Sequence, residues 1–246
     1  MFNLFREHIK QLLGAIYLLI ALMACTSENY DAGDGTNSYL TAELAMLHTA
    51  ADATIHAAVL DSNTPVRFAN PFRLDWAQKP DTVYRALLYY DKPTTTTEAQ
   101  GFTAKARSVV AVPVLSPVAA SEVKQMHTDP VGFESLWLSK NGEYINVSLL
   151  LKCGTPSGDN VRHQIGIVSR GITTAADGQR TLHLTLFHDQ GAMPEYYTVQ
   201  QYISIPTASL GDADCVVLAV NTYEGVVERQ IHSIIGGRGV PTRPSN

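Results

Sequence analysis

The chain has 246 residues, of which 45% are hydrophobic and 17% charged, with a formal net charge of −5. This composition belongs to an ordinary globular protein and excludes the intrinsically disordered class; the length suits two domains of about 100 residues each behind a leader. Lys and Arg form no block or stripe, so the electrostatic footprint of nucleic-acid binding is missing and no nucleic acid is expected as a partner.

The first element is a leader. Arg6 and Lys10 precede an apolar run that starts at Leu12 and ends in Leu22-Met23-Ala24-Cys25. A positive segment, an apolar stretch and a small residue before the cut make a secretory signal. A cysteine at the first mature position makes it a lipoprotein signal, because its thiol is the atom that receives diacylglycerol. Cys25 is therefore the expected lipidation site, and residues 1–24 are the expected signal peptide. The uncharged run from Gln11 to Ser27 is shorter than the roughly 20 apolar residues of a spanning helix. Two acyl chains are enough for stable anchoring. The expected location is the cell envelope, lipid-anchored and associated with the outer membrane.

Residues 25–37 read as a polar tether rich in Gly, Asp and Asn. Asp31-Ala-Gly-Asp34-Gly35 has a faint calcium-loop look, but glycines stand where alternate oxygen ligands belong, so a linker turn is the better reading. Ala42–Leu60 leaves two possibilities open. Its alanines and the spacing of Leu40, Leu44, Leu47, Ala51 and Ile55 suit a helix; two strands joined by a turn at Ala50–Asp52 are the alternative. Val83–Tyr90 and Ser108–Leu115 alternate with period two and read as strands, with Thr94–Thr97 in a loop. Pro113, Pro117 and the small residues after them predict a boundary at Ser116–Ala120. It divides 38–117 from 118–246, each half expected to fold by itself.

Past that boundary Glu134–Leu149 is the clearest unit. Asn141-Gly142 is a hairpin signal of type I′, and a two-residue loop there pairs Lys140 with Glu143, Leu138 with Ile145 and Leu136 with Val147. Further strands are expected at Gln164–Ser169, Thr181–His188, Tyr202–Ile205 and Cys215–Val220. The fold class is all-β. Cys153 and Cys215 each sit among apolar strand residues, so they read either as one bridge or, slightly preferred, as two buried thiols.

Candidate chemistry is sparse. His188-Asp189-Gln190 with Glu195 could orient a general base, but no G-x-S-x-G elbow or matching nucleophile context accompanies it. These side chains are expected to tie a long loop to backbone groups. Asp129 and Glu134 are the nearest pair for a two-carboxylate glycosidase, and Asp-Pro reads first as turn chemistry. His183 and His188 lie an odd number apart on one strand and fall on opposite faces, so no metal or cofactor is expected. Trp76, Tyr84 and Tyr90 are the candidate binding residues: the two tyrosines share a strand face on which sugars could stack, unless they fill a barrel wall.

The leader, Gly33-Asp-Gly-Thr-Asn-Ser-Tyr39-Leu40, Asp81–Tyr90, Thr128–Trp137, Phe187–Tyr197 and Tyr202–Pro206 occur in an order that resembles the NigD-like lipoproteins of Bacteroidetes. The resemblance implies an N-terminal OB-type barrel followed by a C-terminal β-sandwich, and so favours strands in Ala42–Leu60. It places a threonine where Cys153 stands, which weakens a disulfide, and offers no catalytic residues. The family name carries an association with bacteriocin immunity. The expected function is a non-enzymatic envelope lipoprotein that binds another macromolecule. A glycan-binding lipoprotein attached to polysaccharide uptake is the alternative, and an envelope hydrolase is the weakest reading.

Overall fold

The computed structural model describes residues 40–91, 101–155 and 162–232. The expected signal peptide, the Cys25 lipidation site, the tether 25–37 and the Thr94–Thr97 loop lie outside these residues. The described residues from Thr41 onward fall in one compact unit. No α-helix occurs among the described residues.

Five strands, β1 (Leu40–Thr49), β2 (Ile55–Leu60), β3 (Pro65–Phe72), β4 (Val83–Asp91) and β5 (Phe102–Ala111), close into a barrel in the order β1-β2-β3-β5-β4. β3 and β5 pair in parallel. Ala42–Leu60 is thus two strands, turning at Ala50–Thr54 where Asp52 accepts the Thr54 amide and hydroxyl. Two of its alanines, Ala45 and Ala58, serve here through their small size. Ala45, Ala58, Ala86 and Ala104 all face the narrow barrel interior, packed among Leu47, Ile55, Leu88 and Tyr90. β5 begins six residues ahead of the strand expected at Ser108.

The remaining strands make two facing sheets. β6 (Val118–Ala119), β9 (Gln164–Thr174), β10 (Arg180–Asp189), β12 (Cys215–Thr222) and β13 (Gly225–His232) form one, in the order β13-β12-β10-β9-β6. β7 (Gly132–Leu138), β8 (Tyr144–Cys153) and β11 (Tyr197–Pro206) form the other, in the order β11-β8-β7. Alternate residues of β10, namely Leu182, Leu184, Leu186 and His188, point inward, while His183 faces away. Ile145, Val147 and Leu149 of β8 and Ile203 and Ile205 of β11 meet them across the core. Cys153 and Cys215 are both free thiols.

In the Glu134–Leu149 hairpin, Leu138 pairs with Ile145 and Leu136 with Val147, as expected, but the turn is different. The strands stop at Leu138 and Tyr144, and Gly142 alone takes positive φ (74°). Asn141 accepts the Ser139 hydroxyl and the Glu143 amide through its side chain, and its own N–H donates to the Asp61 carbonyl on the barrel. That tie to the barrel replaces the freestanding type I′ geometry and removes the Lys140–Glu143 ladder pair.

Barrel and sandwich meet at β4, whose outer face carries Arg85, Leu87 and Tyr89. Leu44, Leu87 and Val112 form a small core, against which Tyr89, Trp137 and Tyr202 pack. Beside it Arg85 is buried with its side chain fully covered. The guanidinium donates to both oxygens of Asp61, to Asn146 Oδ1 at 3.0 Å and to Ser204 Oγ at 3.1 Å. It also lies 4.3 Å from the Tyr144 ring centre. Ser204 donates in turn to Asn146 Oδ1. One barrel cation is therefore shared between Asp61 of its own barrel and two uncharged groups of the three-stranded sheet, and these last two bonds tie the bodies together.

Candidate functional site

The concave surface that this junction creates is a cleft of about 380 Å³ lined by β1, β4, β7, β8, β11 and the turns at 61–62 and 139–140. Its walls include Glu43, Tyr89, Glu134, Trp137, Lys140 and Tyr202. The sandwich wall depends on an irregularity in β7. Phe133 opposes Leu149 and Ser135 opposes Ser148, leaving Glu134 as an extra residue on its strand. Such a bulge re-aims a side chain; Glu134, which strict alternation would send away from Ser135 and Trp137, joins them in the cleft.

The Glu134 carboxylate is held in place there. Ser148 donates its hydroxyl to Oε2 at 2.6 Å, and Gln200 donates its amide to the same oxygen and to Ser148 Oγ at 3.0 Å. Oε1 accepts no hydrogen bond among the described residues. Across the cleft Glu43 accepts the Tyr90 hydroxyl at 2.7 Å through Oε1. Trp137 meets Tyr202 edge to face, with ring centres 6.3 Å apart.

The aromatic residues singled out from the sequence do not form a platform. Tyr84 and Tyr90 do share a face of β4, but it is the barrel interior. Tyr90 is 0% exposed and stacks on Phe102 with 5.5 Å between centres, so it has no face left for a sugar. Tyr84 accepts the Lys79 amide through its hydroxyl and packs edge-on against Trp76. Trp76 is 37% exposed and Tyr84 half-buried. Asp129 and Glu134 serve different places: Glu134 lines the cleft, while Asp129 accepts the Gln190 amide in the 189–195 loop.

That loop is tied down as its polar residues suggested. Asp189 accepts the Gly191 amide, Gln190 donates to the Met193 carbonyl and to Glu195, and Lys152 donates to Glu195 at 2.9 Å. The Gln190 and Lys152 hydrogen bonds hold the Glu195 carboxyl below its ordinary pKa. His188 is buried, donating Nδ1–H to the Asp129 carbonyl at 2.9 Å. Its Nε2 lies 2.9 Å from His163 Nδ1, and His163 Nε2 lies 3.5 Å from Cys153 Sγ. Burial pushes the Cys153 thiol up, and burial together with His188 pulls His163 down. Both shifts favour the neutral forms and oppose a thiolate–imidazolium pair.

Among the described residues, His127, Asp129 and Asp189 each bring one donor atom within 4.8 Å of the others. The parallel bridge between Thr128 and His188 sets them side by side. Nothing local marks His163 or His127: His163 directly precedes β9 and His127 the Thr128 bridge, and the pairing of those segments with β10 brings each to its partners.

Residues 114–232 match the family model described as the NigD-like C-terminal beta sandwich domain. That segment is a NigD-like C-terminal domain. Thirteen solved chains match it in structure. One is a NigD-like immunity protein from Bacteroides caccae, 20% identical, with a TM-score of 0.57 over 77% of this chain and 91% of that one. A protein of unknown function, DUF1344, from Bacteroides vulgatus is 18% identical, with a TM-score of 0.59 over 82% and 94%. A candidate lipoprotein from Bacteroides fragilis is 11% identical, with a TM-score of 0.55 over 79% and 97%. At these identities the likeness is one of fold. No curated protein matches the sequence.

Proposed function

We propose that this chain is a non-enzymatic lipoprotein, anchored in the cell envelope through Cys25, that binds another macromolecule in the cleft between barrel and sandwich. The observation that carries the reading is the cleft itself: a bulge aims Glu134 into it and a buried ionic network keeps its two walls in register, as a preformed binding surface requires. Three features favour binding over catalysis. Cys153 is held as a thiol, Asp129 and Glu134 are separated, and Glu195 is engaged in an ion pair. The lipoprotein-type leader and the Bacteroides fragilis neighbour support the anchor. Separate cores in barrel and sandwich support the division into 38–117 and 118–246 as folding units.

Labelled palmitate fed to cells making the native chain or Cys25→Ala tests the anchor, and a screen of purified protein against glycan and ester substrates tests the absence of catalysis. The proposal expects label on the native chain alone and no turnover. Equal label on both proteins, or turnover abolished by Glu134→Gln, would overturn it.

A further inference from the structure

We infer that the cleft accepts a positively charged side chain, an arginine or lysine presented by a partner protein. This rests on the cleft being the binding site and adds the chemistry of what enters it.

Three carboxylates line the cleft, Glu43, Asp61 and Glu134, against a single cationic side chain, Lys140 at the exposed rim. Asp61 is neutralised by Arg85, which grips both of its oxygens. Glu134 and Glu43 are not neutralised in this way: their hydrogen-bond donors are the uncharged Ser148, Gln200 and Tyr90. Neither takes part in an ion pair among the described residues. Glu134 therefore puts an unneutralised negative charge in the cleft, with Glu43 bonded to Tyr90 at its barrel edge, in a chain of net charge −5.

Hydrogen-bonding capacity points the same way. Gln200 spends its amide N–H on Glu134 and Ser148, so what the pair still offers a ligand is acceptors, Glu134 Oε1 and the Gln200 carbonyl oxygen. A saccharide hydroxyl both donates and accepts, and this pair answers only its donating half. Guanidinium and ammonium groups donate only. Glu134 is also pre-positioned by its two donors, so a charge-assisted bond to it costs little ordering. Trp137, Tyr89 and Tyr202 supply the aromatic surface on which such cations rest. A pocket of about 380 Å³ takes one or two side chains; the remaining contacts of a macromolecular partner would fall on the surrounding rim.

The test uses Trp137 as reporter. The chain has two tryptophans, and the other, Trp76, packs on Tyr84 in the barrel; Trp76→Phe leaves Trp137 as the only emitter. Acetyl-Gly-Arg-Gly-amide is titrated at low and high salt, beside the same peptide with citrulline for arginine, and beside lactose. The expected result is a saturable change in Trp137 emission with the arginine peptide alone, weakened by salt as exposed charges are. Glu134→Gln should weaken it about tenfold, the size of one charge-assisted hydrogen bond, while keeping the Ser148 contact. Lys140→Gln should tighten it, a sign that a purely structural role would not produce. An equal response to the citrulline peptide, a response to lactose alone, or no response to the arginine peptide would overturn the inference. Should the cleft still cross-link to a partner in cells when the peptide fails, only the ligand chemistry falls, and the binding role stands.

Discussion

Arg85→Met is the perturbation with the largest expected consequence. In the native chain the guanidinium is fully buried and satisfies Asp61, Asn146 and Ser204 at once. Methionine fills the stem but leaves the Asp61 carboxylate, only 15% exposed, with one long hydrogen bond from Asn146 at 3.2 Å. Removing one partner of a buried ion pair costs about 3–5 kcal/mol. Partial exposure of Asp61 and the surviving Ser204–Asn146 bond place the expected loss near the lower figure, about 3 kcal/mol. The double variant Arg85→Met/Asp61→Leu removes both charges and should recover much of that loss, since no orphan remains. Urea unfolding of native, single and double variants measures both effects, with the coupling energy read from the cycle. A single-variant loss below about 1 kcal/mol, or a double variant as unstable as the two single losses summed, would refute the view that Arg85 and Asp61 form a mutually dependent buried pair at the heart of this network.

Other consequences are smaller. Asp52 is lowered to about 2, chiefly by the Thr54 hydroxyl and amide; a depressed carboxyl contributes stability that is complete above its unfolded pKa of about 3.9. That contribution is lost as pH falls through about 2, and Asp52→Asn should flatten acid sensitivity in this window, read by melting temperature against pH. His163 is depressed by burial, then by His188; its unfolded form gains a proton first, so stability should fall as pH drops below about 6.5, and His163→Gln should reduce that slope. Asp189→Ala removes the acceptor of the Gly191 amide and should lower stability by about 1.5 kcal/mol in a thermal melt.

Much of the fold was legible because strand periodicity is local. Leu182, Leu184 and Leu186 announced the inner face of β10, and the register of Leu136 and Leu138 followed from the position of the turn alone. The turn type did not, because Asn141 is held by Asp61, a residue 80 positions earlier that no local pattern reveals. Alanine propensity left Ala42–Leu60 open between helix and strands, and the cost of a strand is outweighed by what small side chains at Ala45 and Ala58 can do inside a narrow barrel. The site was less legible than the fold. Glu134 was noticed as a carboxylate, yet its partnership with Trp137 depends on a bulge that breaks the parity a sequence reader counts by. The Cys153–His163–His188 chain is likewise assembled from three separate segments, and the Arg85 network joins residues up to 119 apart.

The most direct measurement is photo-cross-linking in living cells, with a benzoyl-phenylalanine placed in the cleft at Ser135 and, as control, on the exposed outer strand at Val226. If the cleft holds a partner, Ser135 gives a discrete adduct in the membrane fraction, Val226 gives none, and Glu134→Gln or Cys25→Ala diminishes it. Adducts equal at both positions, or none at Ser135 while the chain remains folded and lipidated, would contradict a binding role for the cleft.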